Sequence, residues 1–313
     1  MDQTIYLRDK GWTRKKKGGK WKYIDNKTGR EITGQRHVER INQLRIPPQW
    51  IDVWISSSAK SAIQVKGTDA QGRRQYLYSQ EWINTQKSQK YDRMKLFMKD
   101  LGKFNSILQS CLKDRTLNKD KILSCMFKVM MKGRLRVGNE RYAEENKTYG
   151  LTTLQKKHLV GDKLHFVGKS GIEHKISITG LCPRSKEVLQ ELWKRCKTSK
   201  SEIFPYSHVD MNNFLKEWMG REYTCKDFRT FFSNDEFIRS VINSRKELPK
   251  DPSKGALKRF ILNCIDKSAK KLGHTRSISR KSYISEELID YCLSQWPKAK
   301  KATYSKLFSV ACS

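Results

Sequence analysis

Acidic residues are scarce in this chain, paired cysteines are absent, and no long apolar run interrupts it. Asp plus Glu number 32 against 65 Lys plus Arg, a formal net charge of +33. A surplus of that size repels itself unless a polyanion is near, and nucleic acid is the commonest one. A soluble basic surface or a membrane-surface protein would share the charge. Against the membrane stand the lack of a lipidation motif and of any apolar stretch of spanning length. The eight cysteines form no CxxC pair and read as reduced, mostly buried thiols. The opening residues, MDQTIYLRDKGW, lack the apolar core and cleavage site of a signal peptide, so an intracellular setting is expected.

Other absences narrow the chemistry. There is no GxxxxGK[ST] loop, no GxGxxG after a strand, no HExxH and no zinc-like Cys/His spacing. His158, His165 and His174 lie close in sequence, but their spacing matches no metal site. Gly168-Lys-Ser-Gly171 could cradle a phosphate, yet it sits in an expected hairpin turn and not at a helix start. Neither a metal nor a nucleotide cofactor is expected.

What is present divides in two. The first eighty-odd residues read as strands and turns. Trp21 to Asp25 alternates, Asn26 to Gly29 is a turn signal, and Arg30 to Thr33 follows as the second arm of a hairpin. Val53-Trp-Ile55 and Gln75-Tyr76-Leu-Tyr78 are further strands, with Pro47-Pro48 as a stop before them. The run Arg14 to Lys20 stands out only as a short basic tract. Gln80 to Lys90, polar and aperiodic, reads as a linker.

From about Tyr91 the period lengthens. Phe97, Leu101, Phe104 and Leu108 fall on one helix face. Ile122, Met126 and Val129 mark a second helix, closed by Gly133. Lys163 to Val167 and Ile172 to Ile178 form a β island around a tight turn, after which helical patterns resume from about Ser185. The expected fold is α+β: a small, mostly β N-terminal domain over residues 1–85, then a larger, mainly helical catalytic domain with a short sheet over 86–313.

Cations recur beside turns where loops could converge: Arg136 just past Gly133, Lys169 at the tip of the β island, and Arg229 in Lys226-Asp-Phe-Arg-Thr230. His274 follows Leu272-Gly273, and Tyr283 lies nine residues on. Singly, each is an ordinary surface cation or structural ring. Their order and contexts resemble the small type IB topoisomerases of bacteria, poxviruses and other large DNA viruses. The resemblance spans nearly the whole chain. Ile46-Pro-Pro-Gln-Trp50, Gln64-Val-Lys-Gly-Thr-Asp69 and Gly72-Arg-Arg-Gln-Tyr76 carry it first. Then come Arg136-Val-Gly-Asn-Glu-Arg-Tyr142, Gly150-Leu-Thr-Thr-Leu154, Phe166-Val-Gly-Lys169, Lys226 to Thr230, and Gly273 to Tyr283. One departure is Arg276, where many relatives place a stiffening proline.

The resemblance implies that Tyr283 is the nucleophile, with Arg136, Lys169, Arg229 and His274 as its catalytic partners. It implies transient cleavage of one strand of double-stranded DNA through a 3′-phosphotyrosyl bond, then religation, with no ATP and no metal. Attack on a phosphodiester builds charge on the nonbridging oxygens, which suits the forked donors of Arg136 and Arg229 and a hydrogen bond from His274. Lys169 would protonate the departing 5′-oxygen. Lys66, Arg73, Arg74, Tyr76 and Tyr78 interleave cations with aromatics and are candidate DNA contacts, as are Arg141 and Tyr142. Binding should weaken steeply with salt.

A monomer clamping DNA is implied, in a bacterial cytoplasm or nucleoid, or in the virion and replication site of a large DNA virus. The alternatives are a tyrosine recombinase and a non-catalytic basic nucleic-acid-binding protein. Recombinases usually carry a His-x-x-Arg box where this chain has Lys226-Asp-Phe-Arg229. The non-catalytic reading explains the charge but not five ordered residues of catalytic type in matching contexts.

Overall fold

The computed structural model describes residues 10–220 and 223–313, with the side chains of 141 and 142 excepted. The chain separates into two compact units, Met1–Lys90 and Tyr91–Ser313. Each has its own core, and the α+β architecture is the one expected from sequence.

The first unit is a five-stranded antiparallel sheet with one helix. Its strands are β1 (Trp12–Lys17), β2 (Lys20–Asp25), β3 (Ile51–Ile55), β4 (Ile63–Thr68) and β5 (Arg74–Tyr78), in the order β2-β1-β3-β4-β5. Helix α1 (Gln35–Gln43) lies between β2 and β3 in sequence. The expected hairpin from Trp21 to Thr33 is present, but its second arm is short and the main partner of β2 lies on its other side. β2 pairs with β1 in register from Trp12↔Asp25 to Lys17↔Lys20, and Arg30 to Thr33 contributes only an isolated bridge, Ile24↔Glu31. Gly18 and Gly19, with φ of 58° and 78°, supply the two left-handed residues that a tight hairpin turn requires. The basic tract is therefore a strand.

Arg14 within it is structural. Its guanidinium donates to the carbonyls of Pro47 at 2.7 Å and Trp50 at 2.9 Å, and lies 4.2 Å from the Trp21 ring centroid. The unit's small core joins Trp12, Ile41, Val53, Ile55 and Val65. Trp50 packs over Gly67, where a Cβ would stand 2.8 Å from the indole. That contact explains why the Pro-Pro-Gln-Trp and Gly-Thr-Asp stretches occur together.

Helix α2 (Gln80–Cys111) corrects the linker reading: residues 80–90 are its first turns. Glu, Gln and Lys are good helix formers even without an apolar stripe, and Ser79 Oγ accepts from Trp82 N–H at the start. From Tyr91 the stripe appears, and Tyr91, Met94, Phe97, Phe104 and Leu108 are buried.

In the second unit, α3 (Lys119–Gly133) ends one residue later than expected. Its left-handed cap is Arg134, at φ 53°, and not Gly133. A Cβ on Gly133 would sit 2.9 Å from Leu135 Cγ, so glycine serves clearance there. Next come α4 (Glu140–Asn146) and a three-stranded sheet, β6 (Leu159–Val160), β7 (Lys163–Val167) and β8 (Glu173–Ser177), in the order β6-β7-β8. The rest is helical: α5 (Pro183–Arg195), α6 (His208–Met219), α7 (Cys225–Ser244), α8 (Lys254–Leu272), α9 (Arg276–Ser282), α10 (Glu286–Ser294), α11 (Trp296–Lys301) and α12 (Tyr304–Ala311).

α7 is the axis of this unit, with Phe228, Phe231, Phe232, Phe237 and Ile238 all buried. Phe228 meets Phe97 edge to face at a centroid separation of 4.8 Å, and Phe127 at 5.7 Å. Such aromatic pairs add to simple burial and hold the helix rigidly. Its start is capped by Asp227, whose carboxylate accepts from Thr224 N–H at 2.8 Å and from Arg93 Nε at 2.9 Å.

Candidate active site

Four of the five expected catalytic residues come together in the second unit. Arg136 leaves the segment after α3. Its backbone is fixed by two bonds, Leu151 N–H to Arg136 O at 2.9 Å and Thr152 N–H to Val137 O at 2.7 Å. Those bonds need glycine on both sides: a Cβ on Gly150 would stand 2.6 Å from Gly138 N, and Gly138 itself has φ 102°. Arg136 Nη1 lies 3.5 Å from the Tyr283 hydroxyl.

Arg229 rises from the first turns of α7 and is 4% exposed. It donates Nη1 to the carbonyl of Arg134, and Nη2 to the carbonyl of Leu272 and to His274 Nε2. Arg134 in turn stacks over Phe232 at 3.8 Å and pairs with Glu236 at 3.1 Å. Burial and the neighbouring Arg136 lower the Arg229 pKa, opposed by Tyr283, but a guanidinium stays cationic in proteins. Its Nε has no partner among the described residues.

His274 follows the C-terminus of α8. Gly273, at φ 61°, closes the helix in the left-handed conformation, and His274 N–H bonds back to Ala269 O at 2.9 Å. The imidazole stacks on the Tyr283 ring, with centroids 4.3 Å apart and planes 15° from parallel. Burial, then Arg229, Arg136 and His174, push its pKa down to about 3, so it is neutral near pH 7. Nδ1 lies 3.2 Å from Ser279 Oγ. With Nε2 accepting from Arg229, the neutral ring carries its proton on Nδ1 and faces the Ser279 hydroxyl, which can accept it or, in the other tautomer, donate.

Tyr283 sits at the end of α9. Burial works against its ionisation, but Arg136, Arg229 and Lys226 together outweigh it and hold the phenol below its ordinary value. The expected helix start after it is present: Ser285 caps α10 and accepts from Leu288 N–H at 3.2 Å. Where a proline was missing, Arg276 instead makes a bidentate pair with Asp266.

Lys169 is not gathered into this cluster. It is exposed in the turn between β7 and β8, and makes no hydrogen bond or ion pair among the described residues. Ser170 and Gly171 beside it both have positive φ, 65° and 72°. Asn234 was not singled out from sequence, although it touches the backbone of Tyr283. Its Nδ2 donates to Tyr283 O and its Oδ1 accepts from Ser285 N–H, each at 2.9 Å. One helical asparagine gives no signal without its register on α7: it lies five residues after Arg229.

The candidate DNA residues of the first unit lie on β4, β5 and the turn between them. Tyr76 and Tyr78 are 40% and 41% exposed and stacked, with centroids 6.2 Å apart. Arg74 is exposed and Lys66 half-buried. Arg73 instead pairs with Asp69 at 2.8 Å, and Asp69 also accepts from Gln75, so this arginine tightens the turn. Arg141 and Tyr142 lie outside the described side chains.

Comparison with known proteins decides the family. Residues 79–306 match the model of the eukaryotic DNA topoisomerase I catalytic core, and residues 20–69 that of the bacterial DNA topoisomerase IB N-terminal domain. The chain belongs to the type IB DNA topoisomerases. It is 34% identical over 288 residues to DNA topoisomerase 1B of Acanthamoeba polyphaga mimivirus, covering 88% of this chain and 85% of the relative. DNA topoisomerase 1 of rabbit fibroma virus is 25% identical, covering 81% of each chain. DNA topoisomerase 1B of vaccinia virus (strain Copenhagen) is 24% identical, covering 87% of this chain and 88% of its own. Among the described residues no helix of this topoisomerase is long and apolar enough to cross a membrane, and no cluster of His, Cys, Asp and Glu could hold a metal ion.

Proposed function

We propose that this topoisomerase relaxes duplex DNA by transient cleavage of one strand, with Tyr283 as nucleophile. The observation that carries the reading is the Tyr283 phenol, stacked on His274 with its hydroxyl 3.5 Å from Arg136 Nη1. Tyr283 Oη attacks the scissile phosphorus, the P–O5′ bond breaks, and the phenolic proton leaves to solvent. The product is a 3′-phosphotyrosyl bond and a 5′-hydroxyl. Because the new bond is itself a phosphodiester, attack by the 5′-hydroxyl reseals the strand with neither ATP nor metal.

Arg136 and Arg229 neutralise the charge that grows on the nonbridging oxygens. The uncommitted Nε–H of Arg229 supports this, since a buried donor without a partner favours an anion. Neutral His274 donates to the same phosphate from Nε2 once Arg229 Nη2 turns to the oxygen and the ring takes the Nε2–H tautomer, with Nδ1 then accepting from Ser279 Oγ. Lys169 supplies the proton that O5′ gains. The reach of an exposed lysine side chain suits a group that meets the leaving oxygen only on DNA.

Lys66, Arg74, Tyr76 and Tyr78, with Arg141 and Tyr142, are proposed to contact the duplex, and Arg73 to shape the turn beside them. We place the enzyme as a monomer closing on DNA, inside the cell or virion that holds that DNA. The test is a negatively supercoiled plasmid incubated in EDTA without ATP and quenched with detergent. Relaxation with a trapped covalent adduct is expected, and both should vanish in Tyr283→Phe. Relaxation that survives Tyr283→Phe would overturn the assignment.

A further inference from the structure

His174, on β8, is drawn into the site by two glycines. It pairs across the sheet with Phe166 and stacks on that ring at 4.9 Å, with planes 13° apart. On one side of the imidazole is Gly168, where a Cβ would stand 2.6 Å from Nε2. On the other is Gly273, where a Cβ would stand 2.8 Å from the same nitrogen and overlap Cε1. One ring thus occupies the side-chain space of both glycines. Gly168 immediately precedes Lys169, and Gly273 immediately precedes His274. The root of the turn bearing Lys169 is tied by Gly168 N–H to Ile172 O at 2.8 Å and Tyr149 N–H to Val167 O at 2.8 Å, and the turn is closed on itself by Gly171 N–H to Gly168 O at 3.2 Å.

We propose that His174 is a positioning residue, whose imidazole wedges the Lys169 turn against the Gly273–His274 turn and so fixes where Lys169 delivers its proton. The inference rests on the reading of Lys169 as the acid for the 5′-oxygen. An exposed lysine on a short turn has many rotamers, and its effective concentration at O5′ depends on where the turn's root is held. The ring itself needs no contact with DNA. Both glycines are required because either methyl would expel it.

The leaving atom separates this role from a merely structural one. An alkoxide needs a proton as the P–O5′ bond breaks, whereas a thiolate, with a thiol pKa near about 8.5, departs without one. A duplex whose scissile 5′-bridging oxygen is replaced by sulfur therefore bypasses the acid and whatever positions it. Single-turnover cleavage by the full-length chain is measured on the oxygen and sulfur duplexes for His174→Ala, Gly168→Ala and Lys169→Ala.

His174→Ala is expected to slow cleavage of the oxygen duplex by about 10²-fold, the scale of a one-ångström misplacement. On the sulfur duplex it should run within a few-fold of wild type, with unchanged DNA affinity. Gly168→Ala keeps the imidazole but displaces it, and its backbone (φ −94°) accepts alanine, so it should give the same pattern. If sulfur fails to restore Lys169→Ala, the acid assignment falls, and this proposal with it. If sulfur restores Lys169→Ala but neither His174→Ala nor Gly168→Ala, the positioning role alone is overturned. Wild-type cleavage of the oxygen duplex by His174→Ala would overturn it too.

Discussion

Asn234 donates its side-chain amide to the carbonyl of Tyr283 at 2.9 Å. The same side chain accepts from Ser285 N–H, so it spans the backbone on both sides of Ile284. Asn234→Ala leaves a half-buried carbonyl and a buried N–H without this partner, a cost of about 1–3 kcal/mol for the buried group and less for the other. Strand cleavage should fall by roughly 10²-fold through loss of aim, while DNA affinity holds. Single-turnover cleavage beside a filter-binding titration reads this, and wild-type cleavage by the variant would refute it.

Gly150 and Gly138 approach so closely that neither accommodates a side chain. In Gly150→Ala the new methyl meets Gly138 N at 2.6 Å and Arg136 O at 3.0 Å. Overpacking of this kind costs about 1–3 kcal/mol, and here the displaced segment carries Arg136. Cleavage should drop toward the level of Arg136→Ala although the melting temperature falls only a few degrees. A variant that melts early yet cleaves normally would show that Arg136 does not depend on this contact.

The pH dependence of cleavage follows from the phenol. As the proposed nucleophile Tyr283 loses its proton on attack, so the rate should climb with pH until the phenol is ionised. Arg136, Arg229 and Lys226 hold its pKa below the ordinary tyrosine value, and the climb should end correspondingly early. Replacing Arg136 by Gln removes the largest of these influences and should move the rising limb to higher pH. A pH–rate profile under single-turnover conditions measures the shift; an unmoved limb would mean that Arg136 does not tune the nucleophile.

Stability should carry the signature of His274. Its folded pKa is about 3, below the 6.5 of a free imidazole. Between those values the unfolded chain binds a proton that the folded chain does not, so stability falls as pH drops from about 6.5 toward 3. The slope from one such group is at most about 1.4 kcal/mol per pH unit. Against wild type, His274→Asn should flatten the urea-midpoint profile across that window and leave it parallel above pH 7. Parallel profiles throughout would mean that the imidazole titrates normally when folded.

Much of this candidate site was legible because each of its residues expected to be catalytic sits beside a local signal. Arg136 follows a helix end, His274 follows the Leu-Gly that closes α8, and Tyr283 precedes a Ser-Glu-Glu cap. Asn234 carried no such signal, since its role depends on which face of α7 meets residues 283–285. The first unit was harder to read. Arg14 to Lys17 looks like a solvated basic run, and only the fold reveals that Arg14 spends its donors on carbonyls of the Pro-Pro turn. Residues 80–90 lacked an apolar stripe because that part of α2 buries little. His174 was visible only as one of three histidines; its partners are glycines, which advertise nothing.

Arg229 is gripped by the carbonyls of residues 134 and 272, the trailing ends of α3 and α8. The anchor therefore reads the path of the main chain. What the side chains at 134 and 272 do for the guanidinium is indirect: Arg134, paired with Glu236, and buried Leu272 keep the two helix ends on course. Fraying of either end releases it. Heat that loosens either end should then cost this enzyme its chemistry while the rest of its tertiary structure still stands.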